Sequence, residues 1–274
     1  MKYADLHIHS NYSDGTKTPE EIIGIAKKNK VKCISITDHD SIKSQYITKN
    51  IYDDITIIPG IELSTEYKEL ELHILGYFID VENSTLKGIV NKLNKSRINR
   101  IEEILHELKK NDIHLTLEEL AVDINSTIGR GHVANAMVKK GYFDNYKTAF
   151  TSFLVKGKPA YVKGFKLDYK KTIEVISEAG GIAVLAHPGQ IYRGMDVENV
   201  IKDLKCYGLK GIEVYHPSHT KCQTNNFYNL SKKYKICISG GSDYHGKELI
   251  HDTGIGSYGI NELLLNKIYK LKTK

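Results

Sequence analysis

The sequence predicts an α/β fold, in which the strands of a parallel sheet alternate with helices. Short apolar runs typical of strands alternate with amphipathic stretches at both ends of the chain, whereas residues 80–165 show only helical periodicity. The length of 274 residues suits one large domain, or a core domain with an insert. We therefore expect a core domain from residues 1–79 and 166–274 and a helical insert at 80–165. Roughly seven strand–helix units are enough to close a barrel, and an open doubly wound sheet is the competing architecture.

The first predicted strand ends in a pair of histidines. Residues 3–8 alternate and are apolar enough to form a strand, and His7 and His9 stand two residues apart. Side chains two apart on a strand point to the same face, as the members of a chelating pair do. Asp14 follows in a turn. This combination indicates the edge of a metal site.

The next elements repeat this arrangement. The capping box Thr18-Pro19-Glu20-Glu21 starts a helix that is expected to end near residue 30. Three further strands are expected at 32–37, 55–58 and 70–78. The first of them ends beside His39, the second continues to Glu62, and the third contains His73.

The middle of the chain is predicted to be helical. Apolar residues follow helical spacing over 84–108, a second capping box stands at 116–119, and a further helix is expected at 132–140. Arg97 and Arg100 lie three residues apart and so share a helix face. On this pattern alone they are best interpreted as solvated helix residues. Arg130 and His132 precede the next helix, whose N-terminus favours anions.

Alternation resumes after the helical stretch. Helices are expected at 167–179, 196–207, 220–234 and from 261, and strands at 182–186, 211–215 and 236–239. The three strands end next to His187, next to His216, and just before Asp243 and His245. Because the carboxyl ends of barrel strands meet at one face, all these side chains are expected to converge with those of the earlier strands.

Each of these residues has a plainer interpretation when it stands alone. A single histidine in a strand is more often a hydrogen-bonded core residue than a ligand, Asp38 and Asp40 suit a helix cap, and Glu62 suits an ordinary salt bridge. Together, so many imidazoles and carboxylates would repel each other or stay desolvated unless divalent cations lay between them. The set lacks thiolates, which favours Mn, Zn or Fe over a structural zinc. Two to three divalent ions sharing a carboxylate are expected.

The charge, cysteine content and hydropathy of the sequence restrict the binding partners and the location that we expect. The chain has 39 basic and 33 acidic residues, and its net charge of +6 suits an anionic substrate but is too small to indicate binding of duplex DNA. The 4 cysteines are scattered without a C-x-x-C pair, as expected in a reducing cytoplasm. No apolar leader precedes the first strand and no segment approaches the roughly 18 apolar residues of a membrane span, so we expect a cytoplasmic protein. Self-association is left open.

Five motifs together resemble the PHP (polymerase and histidinol phosphatase) superfamily. They are Asp5-x-His7-x-His9, Thr37-Asp38-His39-Asp40, Gly60-Ile61-Glu62, Ala186-His187-Pro188 and Asp243-Tyr244-His245. Three further segments resemble one branch of this superfamily, which contains the 3′,5′-nucleoside bisphosphate phosphatases and the 5′-to-3′ exoribonucleases on short RNA. These segments are Arg97-Ile98-Asn99-Arg100, Gly129-Arg130-Gly131-His132 and Gly157-Lys158-Pro159-Ala160-Tyr161-Val162. The resemblance implies a distorted (β/α)7 barrel with a helical insert domain and a trinuclear metal site.

The resemblance also implies roles for single residues. One metal ion would take His7, His9, Glu62 and Asp243, a second would take Glu62, His73 and His187, and a third would take Asp14, His39 and His245. Asp14 stands where many members have a histidine, so the third site is expected to be the weakest. The expected catalytic residues are Glu62, His216 and Asp243, and the expected substrate-binding residues are Arg97, Arg100, Arg130, His132, Lys158 and His216.

The expected reaction is hydrolysis of a phosphate ester. Two metal ions about 3.5–4 Å apart lower the pKa of a water molecule, and the hydroxide attacks phosphorus in line. The expected substrate is a 3′,5′-nucleoside bisphosphate or a short 5′-phosphorylated RNA. A histidinol-phosphate phosphatase is the rival enzyme, and a non-catalytic metal-binding or sensor module is the rival of another class. Phosphate release that is blocked by a chelator separates an enzyme from a sensor.

Overall fold

The structure, a computed structural model, describes residues 3–48, 54–120, 127–191, 196–246 and 254–272. Its N-terminal part contains β1 (Ala4–Ile8), α1 (Pro19–Lys28), β2 (Cys33–Ile36), α2 (Lys43–Ile47), β3 (Thr56–Ile57), β4 (Gly60–Tyr67) and β5 (Leu70–Tyr77). The predicted capping box is confirmed, because the Thr18 hydroxyl accepts a hydrogen bond from Glu21 N while the Glu21 carboxylate accepts one from Thr18 N. It fixes where α1 begins, directly after the turn that carries Asp14.

Helices fill the middle of the described chain. They are α3 (Ser84–Lys109), a short 3-10 turn (Glu118–Leu120), α4 (Arg130–Lys139) and α5 (Tyr146–Phe153). The helix predicted from residue 132 begins two residues earlier, and α5 was not predicted although Asn145 caps it by accepting a hydrogen bond from Thr148 N. Part of the segment after the second capping box, at 121–126, lies outside the described residues.

The C-terminal part returns to alternating strands and helices. They are β6 (Leu167–Asp168), α6 (Tyr169–Glu178), β7 (Ile182–Leu185), a 3-10 turn (Pro188–Gln190), α7 (Val197–Cys206), β8 (Gly211–Tyr215), α8 (Lys221–Tyr234), β9 (Cys237–Gly240) and α9 (Glu262–Lys272). The predicted elements are confirmed here to within two residues, except that the helix predicted from 167 begins with the short strand β6. None of the helices in the described part combines the length and hydropathy needed to cross a bilayer.

The strands form a mixed arrangement, so the expectation of a purely parallel sheet was wrong. One sheet has the order β1-β2-β3 and is parallel, and the other has the order β6-β4-β5-β7-β8-β9. Within the second sheet β5 runs antiparallel to both β4 and β7. The cause is a tight hairpin between β4 and β5, in which Lys68 and Glu69 both adopt positive φ, as a two-residue hairpin turn requires. Glu62 lies near the start of β4, a strand separate from β3, whereas the sequence predicted it on the continuation of β3.

Isolated bridges connect the ends of the two sheets. Ile8 pairs in parallel with Tyr244, and His39 pairs in parallel with Glu62. The first bridge needs a close backbone approach, since a Cβ added to Gly241 would lie 2.4 Å from His7 N. Glycine is required at this position for that reason. These bridges place segments that are distant in sequence beside one another.

The apolar core has separate parts. The main cluster lies around β4, β5, β7 and β8 and includes the first half of α3, through Leu86, Val90 and Leu93. A second cluster of buried residues is formed entirely within residues 101–160, and it includes the second half of α3, through Ile101, Ile104 and Leu108. One long helix thus packs on two apolar clusters, which fixes the middle region against the sheets. Burial of each such side chain contributes roughly 1.5–3 kcal/mol.

Candidate metal centre

The carboxylate of Glu62 lies at the centre of a group of histidines from four strands or strand ends. Its Oε2 atom is 3.2 Å from Nε2 of His7 and 3.2 Å from Nε2 of His9. Its Oε1 atom is 3.0 Å from Nδ1 of His73 and 2.9 Å from Nε2 of His187. The two oxygens therefore face two different groups of imidazoles, an arrangement that suits a bridging carboxylate.

Strand alternation explains why Glu62 points into this group. Its neighbours Ile61 and Leu63 are fully buried in the main apolar cluster, so the side chain between them faces the other side of β4. His7 likewise lies between two fully buried apolar residues of β1, Leu6 and Ile8. The apolar residues of each strand thus fix the direction of the polar one.

Asp243 joins the group from the segment after β9. Its Oδ1 atom is 3.4 Å from Nε2 of His7 and 3.2 Å from Nε2 of His9, and its Oδ2 atom is 3.1 Å from Nε2 of His216. Asp243 has a φ of 49° and His187 a φ of 22°. Non-glycine residues at positive φ are uncommon, and such backbone strain concentrates at functional sites.

A third group lies at the outer side of the centre. Donor atoms of His9, Asp14, His39 and His245 lie within 4.8 Å of one another. The Asp14 carboxylate is 3.3 Å from Nε2 of His245 and 3.8 Å from Nε2 of His39. His39 also approaches Glu62, with its Nδ1 atom 3.1 Å from Oε2. All nine residues predicted as metal ligands are therefore brought together.

The donor atoms fit divalent cations. Nε2 of His7 lies 3.1 Å from Nε2 of His9, and Nδ1 of His73 lies 3.3 Å from Nε2 of His187. Two nitrogens that each lie about 2.1 Å from one ion are separated by about 3.0–3.4 Å, so these pairs have the spacing of ligands on a shared metal. Two buried atoms at the centre, Nδ1 of His39 and Oδ1 of Asp14, form no hydrogen bond among the described residues, although they lie 3.1 Å from Glu62 and 3.3 Å from His245. Buried nitrogen and oxygen atoms that form no hydrogen bond are suited to act as ligands of a metal ion.

The charges of the centre are strongly coupled. Burial alone would raise the pKa of Glu62, but the surrounding imidazoles hold it well below its usual range. Burial alone would lower the pKa of His9 and His73, but their carboxylate neighbours raise both to about 10. At His39 burial dominates and lowers the pKa to about 4. Protons on some imidazoles therefore supply the positive charge that the buried carboxylates require.

Buried carboxylates around the ligands were not predicted. Glu213 on β8 is fully buried, lies 3.1 Å from Nδ1 of His7 and accepts a hydrogen bond from the backbone N of His187 at 2.7 Å. Asp38 accepts hydrogen bonds from the hydroxyls of Ser10 and Ser13. A charged residue inside an apolar strand was the available signal for Glu213. Such partners orient the ligands that they contact.

A cavity of about 180 Å³ opens beside the centre. Its lining includes Asp14, His39 and His73 of the metal centre, five basic side chains, and the carboxylates of Asp40 and Glu71; the basic side chains are Arg97, Arg100, Arg130, His132 and Lys166. Four of the predicted substrate-binding residues therefore line the same cavity as three of the predicted metal ligands. Lys166 was not predicted, and no periodicity marks it in the sequence.

The basic side chains of this cavity have different partners. The side chain of Arg97 pairs with buried Asp40 and donates a hydrogen bond to the Ser64 hydroxyl. Arg100 donates through Nε to the Val162 carbonyl at 2.9 Å, and burial together with nearby Arg130 lowers its pKa to about 10. Arg100 therefore stays charged at neutral pH while making no ion pair with a described residue.

Arg130 and Lys166 share one carboxylate. Glu71 on β5 lies 2.6 Å from Nζ of Lys166 and 3.6 Å from the Arg130 guanidinium. Arg130 also donates a hydrogen bond to the Leu154 carbonyl and lies over the Phe150 ring.

Two predicted residues lie away from the cavity. Lys158 is exposed and does not line it. His216 is buried, with Nδ1 2.8 Å from the Ser218 hydroxyl and Nε2 against Asp243, so it contacts the metal centre and not the cavity wall.

The chain is similar to known proteins over most of its length. The sequence pattern of the PHP domain family matches residues 5–214. A 5′-3′ exoribonuclease of Haemophilus influenzae is 31% identical over 89% of this chain and 90% of its own. A 3′,5′-nucleoside bisphosphate phosphatase of Chromobacterium violaceum is 30% identical over 89% of this chain and 88% of its own. A solved amidohydrolase structure from Chromobacterium violaceum, with bound sulfate, has a TM-score of 0.87, 27% sequence identity, and coverage of 98% of this chain and 96% of that one.

Proposed function

The chain belongs to the PHP domain family, and we propose that it is a metal-dependent phosphoesterase acting on nucleotides or short RNA. The observation that carries the proposal is the cavity, whose lining combines imidazoles and carboxylates of the metal centre with three arginines and a lysine. Metal ligands together with fixed cations are what binding of a phosphate ester requires.

The metal ligands divide into three sets, of which the first two share Glu62. A first ion would be held by His7, His9, Glu62 and Asp243, a second by Glu62, His73 and His187, and a third by Asp14, His39 and His245. The contacts of the two Glu62 oxygens with separate groups of histidines support its bridging role. Imidazole and carboxylate donors suit Mn, Zn or Fe.

The residues of the chain bind and orient the substrate. When bound, divalent cations in the centre would neutralise phosphate charge and lower the pKa of an attacking water molecule. Arg100, Arg130 and Lys166 bind phosphate oxygens and hold phosphorus over the centre. Arg97 is fixed in position by its ion pair with Asp40, and this pair offsets its charge. His216 lies against Asp243 and away from the cavity lining, so it orients this carboxylate and does not contact the substrate directly.

The substrate class follows from the cations and from the relatives. The cavity is lined by three guanidinium groups and one ammonium group. Binding of a single phosphate monoester requires fewer fixed cations than this. Two relatives covering most of the chain are named for nucleoside bisphosphates or RNA. A 3′,5′-nucleoside bisphosphate or the 5′-phosphorylated end of short RNA fits both observations better than histidinol phosphate.

The architecture that supports this site is a distorted (β/α)7 barrel with a helical cap. The Ile8–Tyr244 bridge connects β1 with the segment after β9, and the His39–Glu62 bridge connects the segment after β2 with β4, which supports a closed ring. The separate apolar cluster within residues 101–160 supports a cap domain at about 80–165. The cap contributes Arg97, Arg100 and Arg130 to the cavity.

An activity panel tests this function. The protein is loaded with Mn²⁺, and phosphate or nucleotide release is measured from adenosine 3′,5′-bisphosphate, a short 5′-phosphorylated RNA and histidinol phosphate. We expect turnover of one or both nucleotide substrates, little with histidinol phosphate, and none after chelation. Preference for histidinol phosphate would support the rival enzyme, and metal binding without any turnover would support a sensor.

A further inference from the structure

An exposed aromatic side chain stands at the edge of the cavity. Phe165 lines the cavity and is 43% exposed. It belongs to none of the apolar clusters formed by the described residues. A large apolar side chain that covers no core and borders a binding cavity indicates contact with a ligand.

The other aromatic side chains of the cavity are already packed. The rings of Tyr146 and Phe150 stack with centroids 5.6 Å apart, and Arg130 lies over Phe150. Both rings also pack against the second apolar cluster. Phe165 has only one ring contact among the described residues, with Lys92 Nζ at 4.6 Å from its centroid.

The backbone beside Phe165 is in contact with Arg100, one of the basic residues that line the cavity. A Cβ added to Gly164 would lie 2.9 Å from Cδ of Arg100, so the absence of a side chain lets Arg100 pack on this segment. The following residue, Lys166, also lines the cavity. Consecutive Cα atoms are about 3.8 Å apart, so the ring stands next to two cations that line the cavity.

We propose that Phe165 is a stacking platform for a nucleobase, which makes the cavity selective for nucleotides over other phosphate esters. The inference rests on the proposed function and identifies its base subsite. The ligand chemistry follows from the site: anionic groups bind to the cations inside, and a flat apolar group covers the ring at the edge. Every nucleobase has such a face, so the platform accepts different bases.

A pair of substrates tests the platform. Adenosine 3′,5′-bisphosphate is compared with its abasic analogue 1-deoxyribose 3,5-bisphosphate, using Mn²⁺-loaded wild type, Phe165→Ala and Phe165→Tyr. Stacking of a base is worth about 1–3 kcal/mol, so Phe165→Ala is expected to raise KM for the nucleotide about tenfold or more. KM for the abasic analogue and kcat for both stay close to wild type, and Phe165→Tyr retains the wild-type KM.

The control and the overturning results are distinct. Leu263→Ala, which removes another exposed apolar side chain far along the chain on α9, leaves both KM values unchanged. Equal changes for the two substrates in Phe165→Ala, or no change for either, would overturn the platform. If the wild type hydrolyses neither substrate, the proposed function fails. The inference is then decided by calorimetry, which measures the affinity of the wild type and of Phe165→Ala for the same two compounds.

Discussion

Glu213 lies with Oε1 at 3.1 Å from Nδ1 of His7, and both side chains are completely buried. The same carboxylate accepts a hydrogen bond from the backbone N of His187. One residue on β8 therefore positions two ligands from different strands. We predict that Glu213→Gln lowers metal affinity about 10- to 100-fold, as loss of such an outer partner does in other metal sites. Calorimetric titration with Mn²⁺ or Zn²⁺ checks this.

A matched substitution separates this effect from a general loss of stability. Glu174→Gln changes an exposed glutamate on α6 that pairs with Lys171. Its metal affinity is expected to equal that of the wild type. Unchanged metal affinity in Glu213→Gln, with circular dichroism showing an intact fold, would contradict the positioning role.

Metal binding is expected to release protons near neutral pH. In the metal-free protein the pKa of His9 and of His73 is raised to about 10, so both imidazoles are protonated at pH 7.5. A metal ion binds only the neutral imidazole, so loading displaces these protons and the apparent affinity rises with pH. Calorimetric titrations in buffers of different protonation enthalpy measure the release. Release of no protons at pH 7.5 would contradict the charge arrangement.

The same groups set a pH window for stability. Because the folded pKa of His9 and His73 is above the unfolded value, their contribution is fully present below about pH 6.5 and is lost as pH rises toward about 10. We expect the Tm of the metal-free protein to fall across this window and the Tm of the loaded protein to change less. Thermal melts at several pH values check this.

Arg97 and Arg100 are expected to differ in their effect on stability. Arg97 pairs with Asp40, whose side chain is only 1% exposed, so Arg97→Ala leaves a buried carboxylate unpaired. Breaking a buried pair costs about 3–5 kcal/mol, and we expect a loss of about this size in urea unfolding. Arg100→Ala, which breaks no ion pair, is expected to cost much less. Adding Asp40→Asn to Arg97→Ala restores part of the lost stability, and absence of any restoration would contradict this account.

Arg130 is expected to act mainly on binding of the second phosphate. Arg130→Ala removes one cation of the cavity and releases Glu71 from it. We predict that KM rises far more for adenosine 3′,5′-bisphosphate than for an aryl phosphate monoester. Lys147→Ala on the exposed surface of α5 is the matched control and leaves both values unchanged. Equal losses on the two substrates would remove the case for a phosphate clamp.

Much of the metal centre was predictable because strand ends carry its residues. His7, His39, His187 and Asp243 each follow or end an apolar run, and the barrel interpretation brought those runs to one face. Glu62 was predicted as a ligand but on the wrong strand. The hairpin after it turns at Lys68 and Glu69, which carry neither of the usual turn signals, glycine or asparagine.

The cavity wall was less predictable because tertiary contacts define it. Arg97 and Arg100 look equivalent in a helical pattern, and only the position of Asp40 distinguishes them. Glu71 and Lys166 are nearly 100 residues apart and meet because β5 and the segment before β6 border one cavity. No local pattern in a single sequence records such a meeting.

The most direct test is a joint measurement of bound metal and turnover in Glu62→Gln. The wild type, dialysed after loading, is expected to retain at least two ions per chain by mass spectrometry and to release phosphate from adenosine 3′,5′-bisphosphate. Because both oxygens of Glu62 face groups of histidines, the variant is expected to lose at least one ion and nearly all turnover. A variant that keeps the wild-type metal content and turnover would contradict a metal centre organised around this carboxylate.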